Sequence, residues 1–227
     1  MIVWRPDWPI PGPNGVRRVS CSAERLPAVI EEARSQAKKR SVRLAWQLDE
    51  WKHAELEPVL LAHGLKPDDE VTVLEFEGDV EEPPVPGMEL ADGMTDLDAF
   101  RRHHATVAAG FAGSDNPVNE ASDLRERYGA AEAAGVKLVT ALIFGEPAGG
   151  GSLAVASDGA TLAGASVLPR FRHRGIYRAL VAERTRLAAE LGAPLVIIHA
   201  RPTSRPILQW LGFTPIGRWW GYLDTID

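Results

Sequence analysis

Apolar positions recur along this chain with two periods, and the change from one to the other marks out its elements. From Glu24 to Arg40, Leu26, Val29, Ile30, Ala33 and Ala37 fall three and four residues apart, which predicts a helix with one buried face. Ser22 is its expected cap and Pro27 sits in its first turn. Ser41–Leu48 alternates as a half-buried strand does, a second helix runs from about Lys52 to His63 and stops at Gly64, and Glu70–Glu77 reads as another strand. Met1–Gly15, with four prolines and two tryptophans, reads as an irregular arm.

Beyond Glu81-Glu82-Pro83-Pro84-Val85-Pro86-Gly87, a stiff linker by composition, the pattern resumes. Met88–Leu90 is a short strand. Thr95–Phe111 is an amphipathic helix capped by Thr95, and a further helix begins at Asn119 or Ser122 and runs through Ala134. Lys137–Phe144 is an apolar strand, Gly149-Gly150-Gly151 reads as a flexible turn, and Ser152–Ser157 and Ala160–Val167 flank Asp158-Gly159 as a hairpin. A helix follows, with Ile176, Ala179, Leu180, Leu187 and Leu191 on its apolar side and Arg178, Glu183, Arg184, Arg186 and Glu190 assigned to the outer one. Leu195–His199 is a buried strand, Ser204–Leu211 a short helix closed by Gly212, and Thr214–Leu223 the last strand or hairpin. The fold class is therefore α/β (α+β), with domains expected at 1–84 and 85–227.

Composition narrows the function more than the fold. The 227 residues are 45% hydrophobic and 25% charged, with a formal net charge of −6. That is a globular composition with no apolar run long enough to span a membrane, so no membrane partner is expected. The acidic balance argues against nucleic acid and suits a cationic or amine substrate. Cys21 is the single cysteine, and the first residues carry no apolar signal core; both point to the cytoplasm.

Against that acidic background, Arg170, Arg172, Arg174 and Arg178 cluster where a strand end, Ser166-Val167-Leu168, passes through Pro169 and a loop bearing Gly175 into a helix start. Strand, glycine loop and helix N-terminus direct backbone N–H groups and the positive end of the helix dipole at one spot, which suits a diphosphate.

This stretch resembles the coenzyme A-binding motif of the GNAT acetyltransferase superfamily: Arg or Gln, two residues, Gly, one residue, then Gly or Ala. Here it falls on Arg172, Gly175 and Tyr177, with Tyr in place of the small residue. The order of elements from Pro86 to the C-terminus and Leu211-Gly212-Phe213 also match that family. The resemblance implies the GNAT fold, a mixed and mostly antiparallel twisted sheet flanked by helices, here preceded by a smaller α/β half-domain. It implies an acetyl-CoA-dependent N-acetyltransferase acting by direct transfer on an amine of a small molecule or of a protein or peptide. The alternative is a non-catalytic acyl-CoA-binding sensor or interaction module. Acetyl-CoA is the implied co-substrate, no metal is implied, and a homodimer is compatible with it. The coenzyme would be held by Ser166, Val167 and Leu168 at the strand end and by Arg172, His173, Arg174, Gly175, Ile176, Tyr177 and Arg178 around the helix start.

Catalytic residues are less legible. The family's general-acid Tyr and its preceding Asn fall here on Leu208 and near Arg201. His199, at a strand end, and Tyr222 are the replacement candidates, Tyr177 a weaker one, and Glu120 and Glu146 are candidate bases. Trp219 and Trp220 either line an acceptor pocket or pack on alternate faces of a strand. Other chemistries lack their residues: there is no P-loop Gly-Lys-Ser/Thr, no zinc pattern, and Gly164–Leu168 lacks the closing glycine of a nucleophile elbow.

Finally, Glu57–Leu65 echoes Arg205–Phe213, with the same proline-to-glycine spacing and the same place after a helix and a strand. Glu24–Glu77 thus reads as a second copy of the later half of the fold without its phosphate loop, and its expected role is structural.

Overall fold

The structure, a computed structural model, describes residues 1–3, 14–78, 80–81, 84–116 and 123–224. In chain order the elements are β1 (Ile2–Val3), β2 (Asn14–Val16), α1 (Leu26–Lys39), β3 (Leu44–Asp49), α2 (Glu50–Ala62) and β4 (Lys66–Phe76). Then come β5 (Met88–Asp92), α3 (Leu97–Ala112), α4 (Leu124–Ala133), β6 (Lys137–Ile143), β7 (Glu146–Ala156) and β8 (Gly159–Val167). A 3-10 turn (Pro169–Phe171), α5 (Ile176–Glu190), β9 (Val196–Ala200), α6 (Arg205–Trp210) and β10 (Thr214–Leu223) complete the chain. No described helix is long and apolar enough to cross a membrane.

The chain forms two compact units that are not contiguous in sequence. The first comprises the described parts of Met1–Leu74, His199–Gln209 and Thr214–Asp227, and the second Glu75–Ile198 and Trp210–Phe213. This division differs from a linear boundary at 84/85 because β10 pairs antiparallel with β3, Trp220 opposite Leu48 and Tyr222 opposite Trp46. In the first unit β2 also runs parallel to β3, and β1 pairs with β2, so the ends of the expected irregular arm are short strands. Residues 4–13 lie outside the described residues. The alternation read in β3 is real: Leu44, Trp46 and Leu48 are buried and meet Leu26 and Ile30 of α1, Leu56 and Leu60 of α2, and Tyr222 of β10. Ser22 does not cap α1 through its side chain; Arg25 occupies the cap position, and Ser22 contributes its carbonyl to the Leu26 N–H.

In the second unit β5, β6, β7 and β8 form an antiparallel run, and β9 joins β8 in parallel. One core cluster brings Ala109 of α3, Val139 and Ala141 of β6, Ala148 of β7 and Val167 of β8 against Phe171, Ile176 and Leu180. A second packs Phe100 against Leu124, Ala131, Val136 and Leu138. The cap of α3 is Asp96 rather than Thr95: Asp96 has extended backbone and its Oδ1 accepts from the Ala99 N–H at 2.7 Å. Helix α4 begins at Leu124, and Asn119 and Ser122 lie outside the described residues.

Gly149-Gly150-Gly151 is not a turn. It is buried inside β7, which begins at Glu146. The reason is steric. A Cβ on Gly150 would stand 2.8 Å from the His103 ring, one on Gly151 2.8 Å from the Arg184 guanidinium, and one on Gly149 2.6 Å from the Ser166 carbonyl oxygen. Alternation along a strand puts neighbouring residues on opposite faces, so His103 of α3 and Arg184 of α5 press on one thin patch of sheet from either side.

Candidate functional site

The site builds from the end of β8. Strand β8 pairs with β9 only over Ala160–Leu162, opposite Val196–Ile198. Immediately after, Gly164 and Ala165 stand against the single residue Gly151 of β7, a bulge in which Gly164 takes a left-handed conformation, φ 56°. The strand then continues to Leu168, whose N–H donates to the Ala148 carbonyl at 2.8 Å. Val167, one residue back, presents its polar groups to the opposite edge, where its carbonyl accepts from Arg172 Nε at 3.1 Å. Ser166 is buried and turns to α3: its Oγ donates to the Val107 carbonyl at 2.8 Å.

The loop that follows is held by the arginines themselves. Arg172 bridges β8 and α3, donating to the Val167 carbonyl and, through Nη2, to the Gly110 carbonyl at 2.9 Å. Arg170 is neutralised: its backbone N–H and Nη1 donate to Asp115, and its guanidinium also meets Glu146. The guanidinium groups of Arg170 and Arg174 lie over the buried Phe171 ring, at 4.8 and 5.4 Å from its centroid. His173 takes a left-handed backbone, φ 61°.

Gly175 then starts α5 in the left-handed region, φ 85°, where L side chains are strained. The helical i→i−4 repeat begins with the Ala179 N–H donating to the Gly175 carbonyl at 3.0 Å. The amides of the first turn therefore face out of the N-terminus, and that turn has no acidic residue. Ile176 is buried in the core, and the Tyr177 side chain packs partly buried against the same cluster. Arg178 lies over the Trp210 ring, 4.9 Å from its centroid. The geometry thus brings together Val167, Arg172, Arg174, Gly175, Ile176, Tyr177 and Arg178, with the Leu168 amide already engaged within the sheet.

The catalytic candidates each have hydrogen-bond partners of their own. His199 Nδ1 accepts from Trp219 Nε1 at 2.9 Å. An indole only donates, so the neutral His199 ring carries its proton on Nε2. Although His199 is exposed, the protein around its ring and then the Arg17 charge hold its pKa below the ordinary value. Tyr222 is buried, its hydroxyl donates to Glu57 at 2.8 Å, and burial followed by that bond raises its pKa. Trp220 stacks on His53 at 3.9 Å, so the two tryptophans engage histidines of their own unit. Glu146 pairs with Arg170 and Arg201 with Asp69, while Glu120 lies outside the described residues.

One residue assigned to the solvent side is buried. Arg184 has no exposed surface, and no carboxylate partners it among the described residues. Its Nε donates to the Leu180 carbonyl at 2.8 Å, and its Nη1 to the carbonyls of Ser152 and Ala163 at 3.1 and 3.2 Å. Nη2 has no acceptor among the described residues. Burial lowers its pKa to about 10, which leaves it charged at neutral pH. The signal was in the spacing, since Ile176, Leu180 and Arg184 share one helical face four residues apart.

Solved structures identify the architecture. A GCN5-related N-acetyltransferase from Kribbella flavida aligns over 92% of this chain and 79% of its own, with TM-score 0.67 and 21% identity. One from Sphaerobacter thermophilus aligns over 88% and 68%, with TM-score 0.66 and 14% identity. The fold is the GNAT fold. A tandem GNAT protein from the clavulanic acid biosynthesis pathway aligns over 87% of this chain and 69% of its own, with TM-score 0.57 and 16% identity, which fits the two-half reading of the sequence. No protein-family model matches the sequence, and no curated protein matches it. On the GNAT fold, the position expected for a general-acid Tyr carries Leu208, which is fully buried.

Proposed function

We propose that the protein belongs to the GNAT acetyltransferases and is an acetyl-CoA-dependent N-acyltransferase that transfers an acetyl group directly to an amine. The observation that carries this reading is the sequence of features at the end of β8: a strand that leaves its parallel neighbour after three residue pairs, a bulge, and a helix that starts on a left-handed glycine with an acid-free first turn. The residues fit the coenzyme. The turn at Gly175–Arg178 would hold its diphosphate through backbone amides, with Arg174 and Arg178 adding charge. The outward edge of β8 around Val167 would hold the extended arm through main-chain hydrogen bonds, and a strand amide would stabilise charge developing on the thioester oxygen.

Loss of a proton from the attacking amine requires a base or a water chain. In the arrangement described, His199 Nδ1 is occupied by Trp219 and Tyr222 is held by Glu57, so water is the best-supported route for that proton. The acidic net charge of −6 supports a cationic acceptor, a polyamine-like small molecule or an exposed protein amine.

The test is thiol release from acetyl-CoA with a panel of polyamines, aminoglycosides, amino acids and short peptides, run beside calorimetric binding. Turnover with any amine, abolished in Gly175→Glu, is the expected result. That substitution forces a side chain into a left-handed position and sets a carboxylate where a diphosphate would sit. Tight binding without turnover would favour a sensor module, and no binding would end the coenzyme reading.

A further inference from the structure

We propose that Arg184 is a positioning residue for the acyl-bearing arm of the coenzyme: it pins the β8 bulge and so fixes the course of the strand edge that a thioester would meet. The inference rests on the acyltransferase reading above and goes beyond it in naming a residue with no solvent exposure.

Three observations converge. First, the bulge sits where β8 stops pairing with β9, directly after Leu162. A bulge interrupts the ladder and leaves its extra residue unpaired. At the edge of this one Ser152 on β7 still pairs with Ala163 on β8, Ser152 Oγ donates to the Ala163 carbonyl at 3.0 Å, and Arg184 Nη1 adds a bond to the carbonyl of each, so the guanidinium clamps the two strands beside the bulge. Second, room for the guanidinium exists only because the residue opposite the bulge is Gly151, whose Cβ would lie 2.8 Å from Arg184 Cζ and Nη1. Third, among the described residues no carboxylate accompanies this buried cation, and its Nη2 has no acceptor. A fully buried charge that lacks a counter-ion is an expensive way to hold a core together, and an apolar residue of similar volume commonly serves the fold as well. What a guanidinium supplies and a methionine does not is a rigid fork that reaches two carbonyls across two strands. Arg184 also lies eight residues into the helix from Ile176, about 12 Å from the turn assigned to the diphosphate. Its influence should therefore fall on the arm and not on the diphosphate.

The experiment compares acetyl-CoA with ADP, which carries the diphosphate without the arm, by calorimetry on wild type, Arg184→Met, Arg184→Lys and Gly151→Ala. Thermal melts of each confirm folding. The expected result is acetyl-CoA binding weaker by about tenfold in Arg184→Met and in Gly151→Ala, the worth of one charge-assisted contact. ADP binding should stay within about twofold, a difference too small to mark the loss of a contact. Arg184→Lys, which keeps the charge but reaches one carbonyl, should fall between. Amide hydrogen exchange gives a second readout: Gly164 and Ala165 should exchange faster in both variants while the first turn of α5 is unchanged. Equal losses for both ligands, or exchange that rises throughout the unit, would reduce Arg184 to an ordinary core residue and overturn the proposal, as would unchanged acetyl-CoA binding. If Arg184→Met does not fold, Gly151→Ala decides. A wild type that binds neither ligand is a different failure, that of the coenzyme reading itself, and would remove this proposal with it.

Discussion

Arg172 shows how one side chain can belong to a motif and yet act on the protein. Its guanidinium ties the β8 end to α3 by bonds to the carbonyls of Val167 and Gly110. Arg172→Met should cost about 1–3 kcal/mol of unfolding free energy, since two carbonyls lose a charged donor. Arg172→Lys should recover less than half of that, because an ammonium does not form a planar fork. Denaturant unfolding of the two variants tests this. The loop residues were legible in the sequence because their signal is local: a strand end, an arginine, a glycine that tolerates a left-handed backbone, and a helix start lie within a dozen positions. Arg184 was not read correctly, because a charged residue on a helix is ordinarily solvated. Only its spacing from Ile176 and Leu180 argues otherwise.

Elements were legible wherever one face is buried and one is wet. The last strand, Thr214–Leu223, has the limits its composition predicts, and β3 shows its alternation in its burial. The glycine run in β7 was misread because glycine signals a turn unless the faces it must clear are known, and those faces belong to distant helices. The packing of α3 on β8 rests on the same economy of volume. A Cβ on Gly110 would come within 2.4 Å of Ser166 Oγ and 2.9 Å of Ser166 Cβ. Gly110→Ala should therefore destabilise by about 1–3 kcal/mol through overpacking, despite alanine's better helix propensity. Combining it with Ser166→Gly should recover part of that loss, so a double-mutant cycle by thermal unfolding should show coupling of at least about 0.5 kcal/mol.

At the scale of the whole molecule, the two compact units draw on segments far apart in the chain. Composition suggested a linker near Pro83 and Pro84, but no local pattern announces that β10 returns to pair with β3. Acid stability is also a property of the whole, and its sign follows from two buried histidines. His103, whose Nδ1 lies 2.9 Å from Thr140 Oγ1, has its pKa lowered to about 3 by burial and then by His104 and Arg184. His104, packed on Phe100, is lowered to about 4 by burial and then by Arg127. Both are neutral when folded and gain protons first when unfolded. Their contribution is thus whole above about pH 6.5 and is lost as pH falls toward 4, by about 1.4 kcal/mol per pH unit for each. Unfolding midpoints at pH 7, 6 and 5 should fall accordingly, and His104→Phe should make the dependence shallower. The patch of sheet between His103 and Arg184 carries a consequence at the level of the gene. Every missense change of one nucleotide in a glycine codon yields a residue with a Cβ. Across Gly149, Gly150 and Gly151 each such carbon meets an atom closer than 3.0 Å. A library of single-base variants should therefore be depleted over three consecutive codons in mid-strand, while the codons of exposed glycines such as Gly135 and Gly192 have open space around them and are limited only by backbone conformation.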